Sequence, residues 1–403
     1  MRVLVADRLS EDALDEMRGL GVEVEYEPRV TGAELAQRLD GVNVLVVRGT
    51  EVTAEALAAG KSLNLVIRAG AGTRNIDVAF ASERGIYVAE TPGRNAQAVA
   101  ELTFTLIGCL DRRVPDAVHS IRSGLWEKDE YARAVGLEGR TIGILGLGHV
   151  GRAVLRMALA YQMRPLAFGR SLTAARAAEL GAKRVSNPLD LARQSDILSI
   201  HLELTDRTRG IVDRKLIEAL PDGAFLVNTA RNELVDYDAL MELIPKKSLR
   251  VGLDVLPSEP SERTARYEHP IIRIPGVYAT PHLGQSTDHA QVAIASETVG
   301  ILRSFVTKGE VPNVVNIAPS TWSRYQLVVR HVDRIGALAN VLAVLKRHGI
   351  HISALDNTVF DGGRAACAKI RMESRPSDAC LQEIMAFSDE VLHVDLVTLP
   401  NVA

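Results

Sequence analysis

Three polar segments carry side chains that together could exchange a proton beside a reacting carbon–oxygen bond. NTARNELVD (Asn228–Asp236) offers the guanidinium of Arg231, LDVLPSEP (Leu253–Pro260) the carboxylate of Glu259, and TPHLGQST (Thr280–Thr287) the imidazole of His282. Oxidising a secondary alcohol removes a hydride and a proton together, so it needs a base that titrates near working pH, and histidine does so unperturbed. A carboxylate on the other ring nitrogen would fix the tautomer and stabilise the imidazolium. A guanidinium would bind a substrate carboxylate and polarise the reacting carbonyl. Each residue alone reads as an ordinary loop or turn residue; it is their order and spacing, 28 and 23 residues apart, that points to chemistry.

A hydride needs an acceptor, and the chain has a turn suited to one. Gly146, Gly148 and Gly151 form GLGHVG, with His149 and Val150 between the last two glycines. The pattern follows the apolar run TIGIL (Thr141–Leu145) and opens a helical segment, Val150–Tyr161, the context a dinucleotide-binding turn demands. The first glycine permits the tight turn, the second lets backbone approach a pyrophosphate, and the third lets helix and strand pack closely. Free N–H groups at the helix start then face the phosphates. Eighteen residues beyond Gly151, where an NAD-preferring site places a carboxylate for the ribose 2′-OH, stand Gly169, Arg170 and Ser171, then Thr173. A guanidinium and hydroxyls suit a 2′-phosphate, so NADP(H) is the expected cofactor and NAD(H) the alternative.

The elements that must position these groups read as an α/β protein. VLVA (Val3–Ala6), VNVLVV (Val42–Val47) and NLVI (Asn64–Ile67) are buried parallel strands, with helical spacing at Glu11–Arg18 and Ala33–Leu39 between them. A long helix is expected from about Asn95 to Arg122, kinked or divided by Pro115. The polar segment Gly124–Arg140 reads as a surface excursion. A second series then runs through TIGIL, PLAF (Pro165–Phe168), DILSI (Asp196–Ile200), GAFLVN (Gly223–Asn228), LRVGLDV (Leu249–Val255) and VYAT (Val277–Thr280), an order that suggests a doubly wound sheet. Another helix is expected over about Ser286–Lys308, then a linker rich in glycine and proline. The last eighty residues restart as strand, helix, strand, strand, helix, strand, the βαββαβ order of a ferredoxin-like domain, with Gly362–Gly363 as a turn.

Composition bounds the possibilities. The 403 residues are 47% hydrophobic and 24% charged, with a formal net charge of −3, which supplies two or three cores and no bulk attraction to nucleic acid or anionic membrane. Cys109, Cys367 and Cys380 are too few and scattered for a disulfide scaffold or a zinc ribbon, so reduced thiols, no metal and a cytoplasmic setting are expected. The opening MRVLVADRLSED breaks into charge at Asp7, unlike a signal peptide, and no run is long and apolar enough for a membrane span.

In this order the three catalytic segments, together with VIRAGAGTRNID (Val66–Asp77), TPGRNAQAVAEL (Thr91–Leu102) and GLWEKDEYA, resemble the signatures of the D-isomer-specific 2-hydroxyacid dehydrogenases over residues 1–310. The resemblance implies two Rossmann-like lobes with the active site in the cleft between them. A catalytic lobe would comprise residues 1–93 and 290–310, a dinucleotide lobe 94–289, a linker 311–323 and a regulatory module 324–403. Arg231, Glu259 and His282 would take the catalytic roles. His201, Thr229, Ala230 and Gly284 would line the cofactor, and Asp254 would contact the nicotinamide carboxamide. Arg68, Ala69, Gly70 and Ala71 resemble the loop that binds the substrate carboxylate, and Arg48 and Asn95 match further substrate-side positions. Arg94 stands where the family usually has glycine, Glu203 where it has proline, and Asn232-Glu233 where it has a glycine-rich pair.

Within the family, the C-terminal module resembles the ACT domain of the phosphoglycerate-oxidising members. That implies 3-phosphoglycerate, a small anionic 2-hydroxy acid, as substrate, a homodimer or homotetramer, and a possible amino-acid effector near His331, Asp333 and His351. In serine-inhibited members asparagines are expected at Asp333 and His351 and proline at Ile335. The alternatives are an NADPH-dependent glyoxylate or hydroxypyruvate reductase, favoured by the Gly169-Arg170-Ser171 turn, and a dinucleotide-sensing regulator on the same fold.

Overall fold

The computed structural model describes residues 1–260, 264–318 and 323–400, and divides into two compact units, Met1–Asn316 and Ile317–Ala403. In the first unit β1 (Arg2–Val5), β2 (Glu23–Tyr26), β3 (Val44–Val47), β4 (Leu65–Arg68) and β5 (Tyr87–Glu90) form a parallel sheet in the order β2-β1-β3-β4-β5. The central strands are short apolar runs because helices cover both faces. Val3 and Val5 point into one core and Leu4 into the other, the two-residue period of a pleated strand. The helix Asp288–Lys308 returns from far along the chain to this sheet, setting Ile294, Val299 and Leu302 beside Val3, Val44 and Ile67. β2, with glutamates at alternate positions, is an edge strand, and its charge hid it from a reading based on apolar runs.

The second sheet holds β6 (Thr141–Leu145), β7 (Arg164–Phe168), β8 (Lys183–Arg184), β9 (Ile197–Ile200), β10 (Phe225–Asn228), β11 (Arg250–Leu253) and β12 (Val277–Ala279), parallel in the order β12-β11-β10-β9-β6-β7-β8. Successive strands are added outward in opposite directions from β6, and ligand crevices open where strand order reverses in this way. Because the strands are parallel, the segments that follow β6, β10, β11 and β12 all emerge on one edge. These are the segments that carry Gly146, Arg231, Glu259 and His282.

The helix Ala96–Arg112 packs on β10 and β11 so closely that a Cβ on Gly252 would lie 3.2 Å from that of Leu106. It ends not at Pro115 but at Arg113, which adopts a left-handed backbone (φ 52°), and a second helix covers Val114–Arg122. Pro115 sits in that helix's first turn, where a missing N–H breaks no bond. The expected linker is also partly committed: Val315 N–H donates to Val88 O, and Val88 N–H to Asn316 Oδ1, so residues 313–316 pair beside β5.

The second unit is an antiparallel sheet of β13 (Tyr325–Val332), β14 (Ile352–Val359), β15 (Ala365–Met372) and β16 (Val391–Thr398) in the order β14-β15-β13-β16. Its two helices, Ala337–Arg347 and Asp378–Met385, bury Val341, Val344, Leu345, Cys380 and Ile384 on one face. This is the ferredoxin-like order, with left-handed Gly362 and Gly363 turning the middle hairpin. No helix among the described residues is long and apolar enough to cross a membrane.

Candidate active site

The glycine turn has the shape of a dinucleotide cradle. Gly146 lies at φ 103°, where a Cβ would come within 2.6 Å of His201 O, and a Cβ on Gly151 would overlap Gly146 O. These two glycines answer to protein backbone. Gly148 differs: a Cβ there would meet nothing within 4 Å, so the middle glycine faces open space at the start of the helix His149–Ala160, whose first turn has no side-chain cap. Free N–H groups beside an open approach fit a pyrophosphate. His149 lies over Gly93, at the start of the crossing to the second lobe, and Val150 is half-buried behind it.

Gly146 N–H donates to Phe168 O, which sets the end of β7 beside the turn and places Gly169, Arg170 and Ser171 just beyond it. Arg170 and Ser171 are exposed. Thr173 is otherwise engaged: its hydroxyl accepts from Arg176 N–H as the cap of the helix Ala174–Glu179. Arg184, which sequence reasoning missed, donates from Nε to Leu172 O at 2.6 Å and brings a second guanidinium to this loop.

The catalytic candidates converge. Nδ1 of His282 lies 2.8 Å from Glu259 Oε2, and the other Glu259 oxygen accepts from Leu256 N–H at 2.8 Å. An ionised carboxylate only accepts, so Nδ1 carries the hydrogen and Nε2 is the nitrogen left for substrate. The bond to Glu259 holds the His282 pKa above the usual imidazole range, against burial and the charge of Arg231. Burial pushes Glu259 upward, but the bonds from His282 and Leu256 and the charges of His282 and Arg231 outweigh it and leave its pKa lowered.

The supports of this pair come from residues the sequence did not single out. Fully buried Asn228, the last residue of β10, donates to Arg231 O and accepts from Ala230 N–H, folding the turn that presents Arg231. Tyr237 donates to Val255 O and Tyr267 to Pro257 O, both at 2.8 Å, clamping the segment that leads to Glu259. A buried polar side chain at the carboxyl end of a parallel strand was the available signal for Asn228. The tyrosines left none.

Asp254, expected to contact a nicotinamide carboxamide, is buried and uses both oxygens on the loop after β12. Oδ1 accepts from the Thr280 hydroxyl at 2.6 Å and Leu283 N–H at 2.7 Å, and Oδ2 from Gly284 N–H at 2.8 Å. Burial raises its pKa despite these bonds. Thr229 is likewise engaged, its hydroxyl 2.9 Å from that of Thr103, which itself donates to Val99 O. Ala230, half-buried, packs against the core beneath the sheet edge. His201 is buried and kept neutral, its pKa pushed down by burial to about 3. Its Nε2 lies 2.7 Å from Ser199 Oγ, while its Nδ1 is buried without a hydrogen-bond partner among the described residues.

On the substrate side Arg68 folds beneath its own loop: it donates to Ala71 O at 2.7 Å and fills the space beside Gly70, which has no Cβ to obstruct it. Ala69 is buried in the adjoining core. Burial and the charges of Arg231 and Arg48 bring the Arg68 pKa down to about 10. Arg231 is lowered by burial and by Arg74, against the attraction of Glu233, Glu259 and Glu203. Arg48 donates to Gln291, which in turn donates to Gln285 O, and Asn95 Nδ2 reaches Gln285 Oε1 at 3.5 Å. Arg94, which stands where the family usually has glycine, pairs with Glu297 on the returning helix.

In the second unit the effector candidates differ in access. His331 is buried with Nδ1 2.9 Å from Val332 O and Nε2 3.1 Å from the Asn357 side chain, so its ring is used within the domain. Asp333 and His351 are exposed. Among the described residues no group of three or more His, Cys, Asp or Glu could hold a metal ion.

Comparison with known proteins bears on the fold and the family. The profile of the D-isomer specific 2-hydroxyacid dehydrogenase, NAD binding domain, matches residues 104–284. The chain is 39% identical to a hydroxypyruvate reductase of Thermotoga maritima over 66% of its own length and 85% of the relative's. It is 34% identical to a D-3-phosphoglycerate dehydrogenase of Archaeoglobus fulgidus over 85% of its own length, and spans 64% of that relative. The solved TT0316 protein of Thermus thermophilus superimposes with a TM-score of 0.69 at 34% identity, covering 78% of this chain and all of that one.

Proposed function

Because the chain belongs to the D-isomer-specific 2-hydroxyacid dehydrogenases, we propose that it interconverts a D-2-hydroxy acid and its 2-oxo acid, with 3-phosphoglycerate and 3-phosphohydroxypyruvate as the lead pair. The observation that carries this reading is the convergence of Arg48, Arg68 and Arg231: after burial, the charges of Arg231 and Arg48 lower the Arg68 pKa further. Cationic groups gathered beside an imidazole–carboxylate pair suit a substrate with two anionic groups. The relatives named D-3-phosphoglycerate dehydrogenase support the same choice.

Bound in the glycine cradle, a nicotinamide dinucleotide supplies the hydride acceptor or donor. Arg231 would hold the substrate carboxylate and polarise the oxygen on C2, with the N–H groups of the Ala69–Ala71 loop as further anion donors. His282 Nε2 would take the hydroxyl proton in oxidation and return it in reduction, while Glu259 keeps Nδ1 protonated and steadies the imidazolium. Asp254, through Leu283 and Gly284, would fix the loop on which His282 stands. Arg170 and Ser171, with Arg184 close by, support a preference for NADP(H). The second unit would serve as an ACT-like regulatory domain in a homo-oligomer, with an amino acid as effector near Asp333 and His351.

Initial reduction rates with 3-phosphohydroxypyruvate, hydroxypyruvate and glyoxylate, each with NADH and NADPH, test the reading. The highest kcat/KM is expected for the phosphorylated acid with NADPH. A preference for hydroxypyruvate would select the second reading, which the 39% identical hydroxypyruvate reductase supports.

A further inference from the structure

Glu233, which stands where the family usually has glycine, finds its partner 159 residues away. Its Oε1 accepts from Arg74 Nη1 at 3.2 Å. Arg74 rises from the loop after β4, the loop whose residues 69–71 would bind the substrate carboxylate. Glu233 lies in the 3₁₀ turn Asn232–Leu234, two residues beyond Arg231. Among the described ion pairs it is the one that joins a loop of the first sheet to a loop of the second.

Both ends are anchored. Beside Arg74, Asn75 donates from its side chain to Thr50 O and accepts at its backbone carbonyl from Val52 N–H, each at 2.7 Å. Beside Glu233, Leu234 is fully buried, and Glu233 O accepts from Gly210 N–H at 2.8 Å. A bond between two fixed rims is a strut, and it constrains how far the carboxylate loop stands from the Arg231 guanidinium. Glu233 Oε2 is buried and has no hydrogen-bond partner among the described residues, so the carboxylate is held in place by Arg74 through one oxygen alone.

We propose that Arg74 and Glu233 are a positioning pair across the mouth of the cleft, holding the carboxylate-binding loop against the Arg231 turn and thereby setting the affinity for the anionic substrate. The inference rests on the substrate site proposed above. It makes a prediction opposite to that of simple electrostatics. Removing a negative charge near an anion site should tighten anion binding, whereas removing one end of a strut should loosen it.

Glu233→Gln separates the two. The pair is partly exposed, so the expected change is about fivefold, the upper end for such pairs. KM for the oxo acid rises about fivefold while kcat and the dinucleotide Kd stay within about twofold. Calorimetric titration of oxalate, an unreactive dicarboxylate, into the enzyme with bound dinucleotide shows the same weakening without turnover. The exchanged double variant Arg74→Glu with Glu233→Arg restores both constants to within about twofold. An unchanged or lowered KM and oxalate Kd in Glu233→Gln, or no recovery in the exchanged variant, overturns the proposal, as does a wild-type cleft that binds no oxalate. Should the wild type turn over none of the oxo acids, the functional reading fails by itself and the oxalate titrations still judge the strut.

Discussion

His282 holds a left-handed backbone, φ 54°, with its Nδ1 2.8 Å from Oε2 of Glu259. A non-glycine residue in that region is uncommon and is retained where its surroundings determine it. Here those surroundings are the Glu259 carboxylate on the ring and the Asp254 carboxylate on the next two N–H groups.

The bond to Glu259 sets the direction of the pH dependence. It raises the His282 pKa, so Glu259→Gln should lower it. Oxidation needs neutral imidazole and gains rate as pH rises through the pKa, so its acid limb should move to lower pH in the variant. Reduction needs the imidazolium, and its alkaline limb should also move down. Profiles of kcat/KM against pH in both directions check this, and limbs that stay in place would remove His282 as the titrating group.

Replacing the imidazole itself separates chemistry from binding. His282→Ala should lower kcat by roughly a hundredfold to ten-thousandfold, the range for a lost general base. Dinucleotide affinity, measured by quenching of intrinsic fluorescence, should stay within about twofold. Near-normal turnover would exclude the role.

Two glycines of one motif should fail in different ways. Gly148→Ala places a methyl group in open space, so the melting temperature should hold while dinucleotide affinity falls by about tenfold or more. Gly151→Ala drives a methyl group into Gly146 O, so it should lose stability, by about 2 kcal/mol or more as judged from overpacked cores. Equal melting temperatures for the two variants would contradict the geometry.

Asp254→Asn exchanges an acceptor-only carboxylate for an amide with a single acceptor oxygen. Three donors, from Thr280, Leu283 and Gly284, converge there, so at least one would face N–H₂. Hydrogen bonds to charged groups contribute about 1.5–3 kcal/mol, and a loss of about 2 kcal/mol in chemical denaturation is expected, with a lower kcat because the His282 loop loosens. Unaltered stability and kcat would mean that the loop is held otherwise.

What could be read in advance was local. The strand TIGIL matched β6 residue for residue, and the last eighty residues follow the strand and helix order read from them, because a short apolar or alternating run between turn residues leaves few other folds. The glycine cradle was legible because its backbone angles and close approaches are properties of three residues within six positions. Where two local signals competed, as at Arg113 and Pro115, the reading placed the helix break on the proline, although a proline in a first turn interrupts nothing. The acidic edge strand β2 was missed because its stability comes from pairing with β1 and not from its own apolar content.

The sequence by itself determined the α/β class, the glycine turn, the C-terminal module and the types of the three candidate side chains, since each is written in a short local segment of the chain. Tertiary structure decided what those side chains touch. Arg94 is taken by Glu297, Thr229 by Thr103, Asp254 by the loop after β12, and Arg74 reaches Glu233. Each partner lies tens to hundreds of residues away, and whether it arrives depends on which strands pair, which helices pack on them and, for Arg74 and Glu233, how the two parallel sheets face each other. Charge and hydrogen-bonding capacity are inherited from residue type, but the distances and burial that turn them into a raised imidazole or a depressed guanidinium exist only once the sheets have formed.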